Sequence, residues 1–155
     1  MTDLIRRSLD YLLAQPSDVE WSEFLAVLGE TLEGQMNIAE LRTFFVALGR
    51  GMARRSELKP GSTLESMAEA INAWLQDCGW GFMNMQETGD ALEITHACSP
   101  LRDAFGEKGM NYSPALLEGM YSEWLAAAGA GKDLKLVQLG KVLPPVDAIR
   151  FRLAA

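Results

Sequence analysis

The spacing of apolar residues changes at Gly79-Trp80-Gly81-Phe82, and that change orders everything else in the chain. Before it, apolar side chains recur every three or four residues, the spacing that lines one face of a helix. After it they alternate, over residues 80–86 and again over 92–96, the spacing of a strand. Helix starts are marked upstream. Ser17 with Glu20, Asn37 with Glu40 and Ser62 with Glu65 each set a capping side chain three residues before a glutamate. Such a pair satisfies orphan N–H groups of a first helical turn.

Behind these starts, Trp21, Phe24, Leu25, Leu28 and Leu32 share one helical face, with Gly34 as a stop. Ile38, Leu41, Phe44, Phe45 and Leu48 share a second, and Leu64, Met67, Ala68, Ile71, Trp74 and Leu75 a third. A shorter amphipathic helix over residues 3–14 precedes them, with Leu4, Ile5, Leu9, Leu12 and Leu13. Downstream, Thr88-Gly89-Asp90 turns the two strands into a hairpin. Residues 99–112 hold Pro100, Gly106, Gly109 and mixed charge, and read as a surface loop. Ser113-Pro114 restarts a helix whose apolar face is Leu117, Met120, Tyr121, Trp124, Leu125 and Ala128, ended by Gly129. Residues 134–139 and 147–153 form a second hairpin bridged by 140–145. The expectation is α+β: four N-terminal helices, an antiparallel hairpin, a helix and a second hairpin completing a small sheet. One domain covers 1–155, with 1–16 as a helical extension on a core of 17–155.

Composition narrows the function. A chain of 155 residues with 48% apolar content can bury a core. Its net charge of −7 argues against nucleic acid, which demands a concentrated basic surface. No stretch approaches the roughly 20 apolar residues of a membrane span. The first fifteen residues lack the apolar run and cleavage site of a secretory signal, so the expected location is the cytoplasm. Cys78 and Cys98 are too few to form a disulfide framework, and the sequence leaves their redox state open.

No residues cluster in a catalytic pattern. His96 is the single histidine. With Cys98 two residues on and Cys78 it could make a three-ligand zinc site, but the spacing fits no ligand motif. The plainer reading is a strand histidine beside two thiols. A cysteine nucleophile with His96 as base has no evident orienting partner. The acidic residues are spaced along helix surfaces as solvation requires. No cofactor is expected. The basic run Gly49-Arg50-Gly51-Met52-Ala53-Arg54-Arg55 sits at the far end of a helix, whereas phosphate cradles precede one. Cations there complement the helix dipole, and two helical glycines that each cost about 1 kcal/mol imply a close helix or subunit contact. Trp80, Gly119, Tyr121 and Trp124 join Gly49, Arg50 and Gly51 as expected packing or oligomer contacts, since aromatics dominate both cores and interfaces.

Leu48-Gly49-Arg50-Gly51-Met52-Ala53-Arg54, Gly79-Trp80-Gly81, Ile94-Thr95-His96 and Leu117-Glu118-Gly119-Met120-Tyr121-Ser122-Glu123-Trp124 occur in an order and spacing that resemble the bacterial cellulose synthase operon protein D family. The resemblance covers residues 21–124; the C-terminal strands match in pattern. It implies an α+β accessory subunit, not itself a glycosyltransferase, that assembles as an octameric cylinder, a tetramer of dimers. The passages inside are proposed to guide β-1,4-glucan chains. It implies other cellulose synthase subunits and a proline-rich accessory protein as partners, and the periplasm as the alternative location. The chain's beginning would face the passages, which makes Arg6, Tyr11 and Gln15 candidate glucan or partner contacts.

Three functions are therefore weighed. A non-catalytic homo-oligomeric scaffold of cellulose synthesis and secretion is the first. A small-ligand or adaptor module with an apolar pocket is the second, since the element order loosely resembles vesicle-tethering and ligand-sensing domains. A cysteine hydrolase using Cys98 or Cys78 is the third, and it requires a depressed thiol pKa.

Overall fold

The computed structural model describes residues 2–14, 21–59 and 61–155. Among these, six helices and four strands run in the order α1 (Thr2–Ala14), α2 (Ser22–Gln35), α3 (Ile38–Arg55), α4 (Leu64–Cys78), β1 (Phe82–Thr88), β2 (Ala91–Ala97), α5 (Leu101–Gly109), α6 (Ala115–Ala127), β3 (Lys135–Leu143) and β4 (Ala148–Ala154). The fold is α+β, as the period change implies. The two hairpins join through β2 and β4 into one antiparallel sheet of order β1-β2-β4-β3. In the first hairpin Thr88 pairs with Ala91, so Gly89 and Asp90 alone turn the chain, and Gly89 takes the positive φ (65°) that this tight turn needs.

Helix α6 is the hub. Apolar residues almost all round it are buried, from Ala115, Leu116 and Leu117 to Met120, Tyr121, Trp124 and Leu125. A helix with that profile lies inside a protein. On one side it meets the sheet, where the Tyr121 ring lies 5.7 Å from that of Phe151 on β4. On the other it crosses α3 at close range. A Cβ at Gly49 would overlap the Leu116 carbonyl, and a Cβ at Gly119 would overlap the Val46 carbonyl. The two glycines thus let the backbones touch. Gly51, two residues on from Gly49, faces open space.

Two local expectations are corrected. Residues 99–112 are not a surface loop: they hold α5, with Leu101, Met110 and Tyr112 buried. Gly106, at φ 73° and ψ −177°, is not helical, so α5 is two short helical segments joined at a kink. Phe105 and Tyr112 stack edge-on to Phe45 of α3, each with ring centroids 5.1 Å away, and that burial holds the segment against the core on either side of the kink. The cap of α4 is displaced by one residue. Thr63, not Ser62, is the cap, and the Ser66 hydroxyl, not Glu65, answers to its N–H. The Asn37–Glu40 box forms as read, with both bonds at 2.9 Å. The Ser17–Glu20 start lies outside the described residues.

The apolar faces of α2 and α3 are also narrower inward than their spacing suggests. Leu41 and Phe45 are buried with Gly49 and Ala53, but Ile38, Phe44 and Leu48 remain exposed. On α2, Trp21, Phe24 and Val27 are exposed, while Gly29 packs on Phe105 and Tyr112.

Candidate functional site

Three features stand out: a buried polar relay, a polar cleft and an exposed apolar surface. The first is a buried polar relay beneath α6. The Nε2 of His96 lies 2.8 Å from the Trp80 carbonyl, which can only accept, so Nε2 carries the hydrogen. Nδ1 then accepts from the Tyr121 hydroxyl at 2.5 Å. Burial drives the His96 pKa down from 6.5 to about 4, partly opposed by the Trp80 carbonyl. Burial likewise raises the Tyr121 pKa well above its ordinary value. Both ring nitrogens are engaged, so no lone pair is left for a metal or for a thiol proton. Cys78 and Cys98 are free and exposed. Among the described residues no cluster of three His, Cys, Asp or Glu could hold a metal.

The second feature is a polar cleft of about 850 Å³ between α3, α5, α6 and the β3–β4 hairpin. At its base Arg42 donates to Glu118 at 2.9 Å and to Gln138 at 3.1 Å. Burial raises the Glu118 pKa, with Arg42 pulling the other way. Arg102 makes a bidentate pair with Asp147 and also reaches Glu107. The hydrogen bond from Arg102 lowers the Asp147 pKa. No serine, cysteine or histidine lines the cleft among the described residues. The Arg42 and Arg102 contacts fasten the β3–β4 hairpin to the helices.

The third feature is apolar and outward. Leu4, Leu12 and Leu13 of α1 are 68%, 66% and 85% exposed, and Ile5 and Leu9 are more than half exposed. Trp21, the N-cap of α2, and Phe24 and Val27 on that helix are also exposed, and the Trp21 and Phe24 rings meet edge to face. A helix of thirteen residues is marginal in water by itself. The leucine stripe of α1 stays outside the core, where an amphipathic helix ordinarily buries it.

The structure distributes the residues singled out from the sequence among these features. Gly49 and Gly119 sit in the α3–α6 crossing. Arg50 and Arg54 flank it, at 3.7 and 3.0 Å from Glu123. Trp124 is buried and donates from Nε1 to Ser56 Oγ at 3.1 Å. Trp80 and Tyr121 hold His96. Arg6 is exposed and pairs with Asp3 on its own helix at 3.0 Å. The Tyr11 side chain and Gln15 lie outside the described residues. Sequence reading missed the Arg42–Glu118 pair, whose partners are 76 residues apart, and the Tyr112–Glu33 bond at 2.8 Å, 79 apart. Nothing local marks either.

In its fold the chain is similar to trafficking protein particle complex subunit 3 of Naegleria fowleri, a protein solved covalently bound to palmitic acid. The TM-score is 0.54 at 19% identity, over 86% of this chain and 93% of that one. In sequence it is 28% identical over 117 residues to a cellulose synthase operon protein D of Komagataeibacter xylinus, covering 74% of this chain and 75% of the relative. A Komagataeibacter sucrofermentans protein of the same name is 26% identical over 110 residues, 70% of each. The family model for the D-type subunit of cellulose synthase matches residues 7–143, from within α1 to the end of β3. That span takes in the glycine crossing, the His96 relay and the polar cleft, and the chain belongs to this cellulose synthase family, the one that holds the operon D proteins.

Proposed function

We propose that this protein is a non-catalytic scaffold subunit of the cellulose synthesis and secretion machinery. In this reading it forms a closed homo-oligomer, an octamer built as a tetramer of dimers. The octamer organises synthase complexes or guides nascent β-1,4-glucan. The observation that carries the reading is the leucine stripe of α1 together with Trp21, Phe24 and Val27. An apolar surface of that kind is costly in water and is removed by meeting other copies. The charge pairing in the polar cleft supports a role without chemistry.

A conduit for a moving polymer needs weakly adhesive walls, because tight sites would stall it. Arg6, Tyr11 and Gln15, on or just after α1, are the proposed glucan or partner contacts. Other synthase subunits and a proline-rich accessory protein are the proposed partners, on the cytoplasmic side, with the periplasm as the alternative. Among the described residues no helix is long and apolar enough to cross a membrane.

Deletion in a cellulose-producing cell tests the proposal. Cellulose yield or crystallinity should fall while glucan polymerisation by the isolated synthase core continues at its normal rate. A synthase core that stops polymerising when this subunit is withheld would contradict it. Within that test, Arg6→Ala combined with Tyr11→Ala should disturb fibre packing. Unchanged packing would remove those two contacts from the account.

A further inference from the structure

The sheet has two outer edges, and they are treated differently. Edge β3 carries Lys135 and Lys141 and loses its register between Leu139 and Leu143, devices that discourage another strand from pairing there. Edge β1 carries no lysine and pairs evenly with β2 along its whole length. Among the described residues, one side chain hydrogen-bonds to its outer side. The Asn72 amide on α4 accepts from the Met83 N–H at 2.8 Å and donates to the Met83 carbonyl at 2.9 Å. A primary amide bonded at both ends in this way imitates the backbone of a neighbouring strand.

Because Met83 turns both backbone groups away from β2, the alternation of an antiparallel ladder turns those of Met85 and Glu87 the same way. Met83 and Met85 line a groove of about 710 Å³ between α4 and β1. Leu64, Ala68 and Met85 give it an apolar floor, and Glu65 and Glu69 stand on its helix side. A smaller hollow carries it past Glu87 to the hairpin turn. Neither Glu65, Glu69 nor Glu87 is in an ion pair among the described residues, and no lysine or arginine lines the groove.

We propose that this groove binds an extended, basic segment of a partner protein, which adds a fifth strand beside β1 with Asn72 marking the end of the ladder. Backbone bonds to Met85 and Glu87 supply affinity without regard to sequence, the way peptides dock on open sheet edges beside a helix. Lysine or arginine at alternate positions lays its stem on Leu64 and Ala68 and its head against Glu65 and Glu69. Charge decides between occupants. A second copy of this acidic chain would bring its own β1 carboxylate to the same rim, whereas a basic segment neutralises three unpaired ones. A proline-rich segment lacks the N–H groups the ladder requires. This inference is independent of the scaffold proposal.

The test uses the full-length protein and a fluorescent, end-capped peptide alternating lysine and valine, read by anisotropy. Saturable binding is expected, weakening as salt screens the carboxylates. Replacing Glu65 and Glu69, both exposed, by lysine should weaken it about tenfold or more, equivalent to 1.4 kcal/mol. N-methylation of alternate peptide amides should abolish it, and hydrogen exchange at the Met85 and Glu87 amides should slow on binding. Equal binding of a glutamate–valine or polyproline peptide, or indifference to N-methylation, would overturn the proposal. So would finding those amides already protected in the free protein, because a second copy would then hold the groove.

Discussion

Helices α3 and α6 meet backbone to backbone, with glycine on each side of the contact, while α1 presents five apolar residues to solvent. Both surfaces are built from small and aliphatic residues at helical spacing. What separates them is shape. The crossing is filled from within the protomer, by Gly49 against Leu116 and Gly119 against Val46, and is complete. The α1 surface is matched to nothing described in its own chain. Periodicity announces that a face is apolar; it does not announce whose atoms will cover it.

The largest expected effect lies in the crossing. Gly119→Leu should cost more than about 4 kcal/mol in urea unfolding, because backbone must move to admit it. Gly51→Ala on the same helix α3 should instead stabilise the protomer by up to about 1 kcal/mol, since nothing stands within 4 Å. If Gly51→Ala also weakens the assembly, Gly51 belongs to an intersubunit contact. Similar losses at both positions would dissolve the distinction between filled and unfilled faces.

Next comes the relay under α6. Folded His96 takes up its proton near pH 4, against 6.5 for the unfolded side chain. Between those values the unfolded chain binds more protons, so stability rises with pH through the window and is lost as pH falls. The full loss is on the order of 3 kcal/mol at 1.36 kcal/mol per pKa unit. Urea midpoints taken across pH 6.5 to 4 should slope steeply in the native protein and flatten in His96→Gln. Equal slopes would mean that His96 is not held neutral. A smaller effect belongs to Trp124→Phe, which forfeits the bond to Ser56 and should cost about 1 kcal/mol by the same unfolding assay.

The smallest effect on protomer stability is expected from Leu9→Asp with Leu12→Asp. Unfolding of the isolated protomer should shift by less than about 0.5 kcal/mol, the ordinary range for exposed sites. Assembly should nonetheless fail. A large loss of protomer stability would show that α1 is packed at home and would collapse the comparison.

What could be read in advance follows the same division. The Asn37–Glu40 box and the Gly89-Asp90 turn are local chemistry, visible in a few adjacent residues. Helix α5 was hidden by Pro100, Gly106 and Gly109, because the ring packing of Phe105 and Tyr112 on Phe45 comes from 60 residues or more away in sequence. The α4 cap was misread by one position because a serine hydroxyl serves where a glutamate was expected. The Asn72 amide on Met83 and the Arg42–Glu118 pair depend on how whole elements approach, and no residue pattern carries that information. Gly49 was legible as a close contact, though which helix it would meet was not, and Gly51, read together with it, meets nothing within 4 Å in the protomer.

Light scattering coupled to size exclusion, at micromolar concentration, tests the central claim most directly. The account predicts a particle several times the 17.0 kDa of one chain, eight-fold for the closed octamer, that breaks down when residues 1–14 are removed. A stable 17.0 kDa species with α1 intact would contradict it.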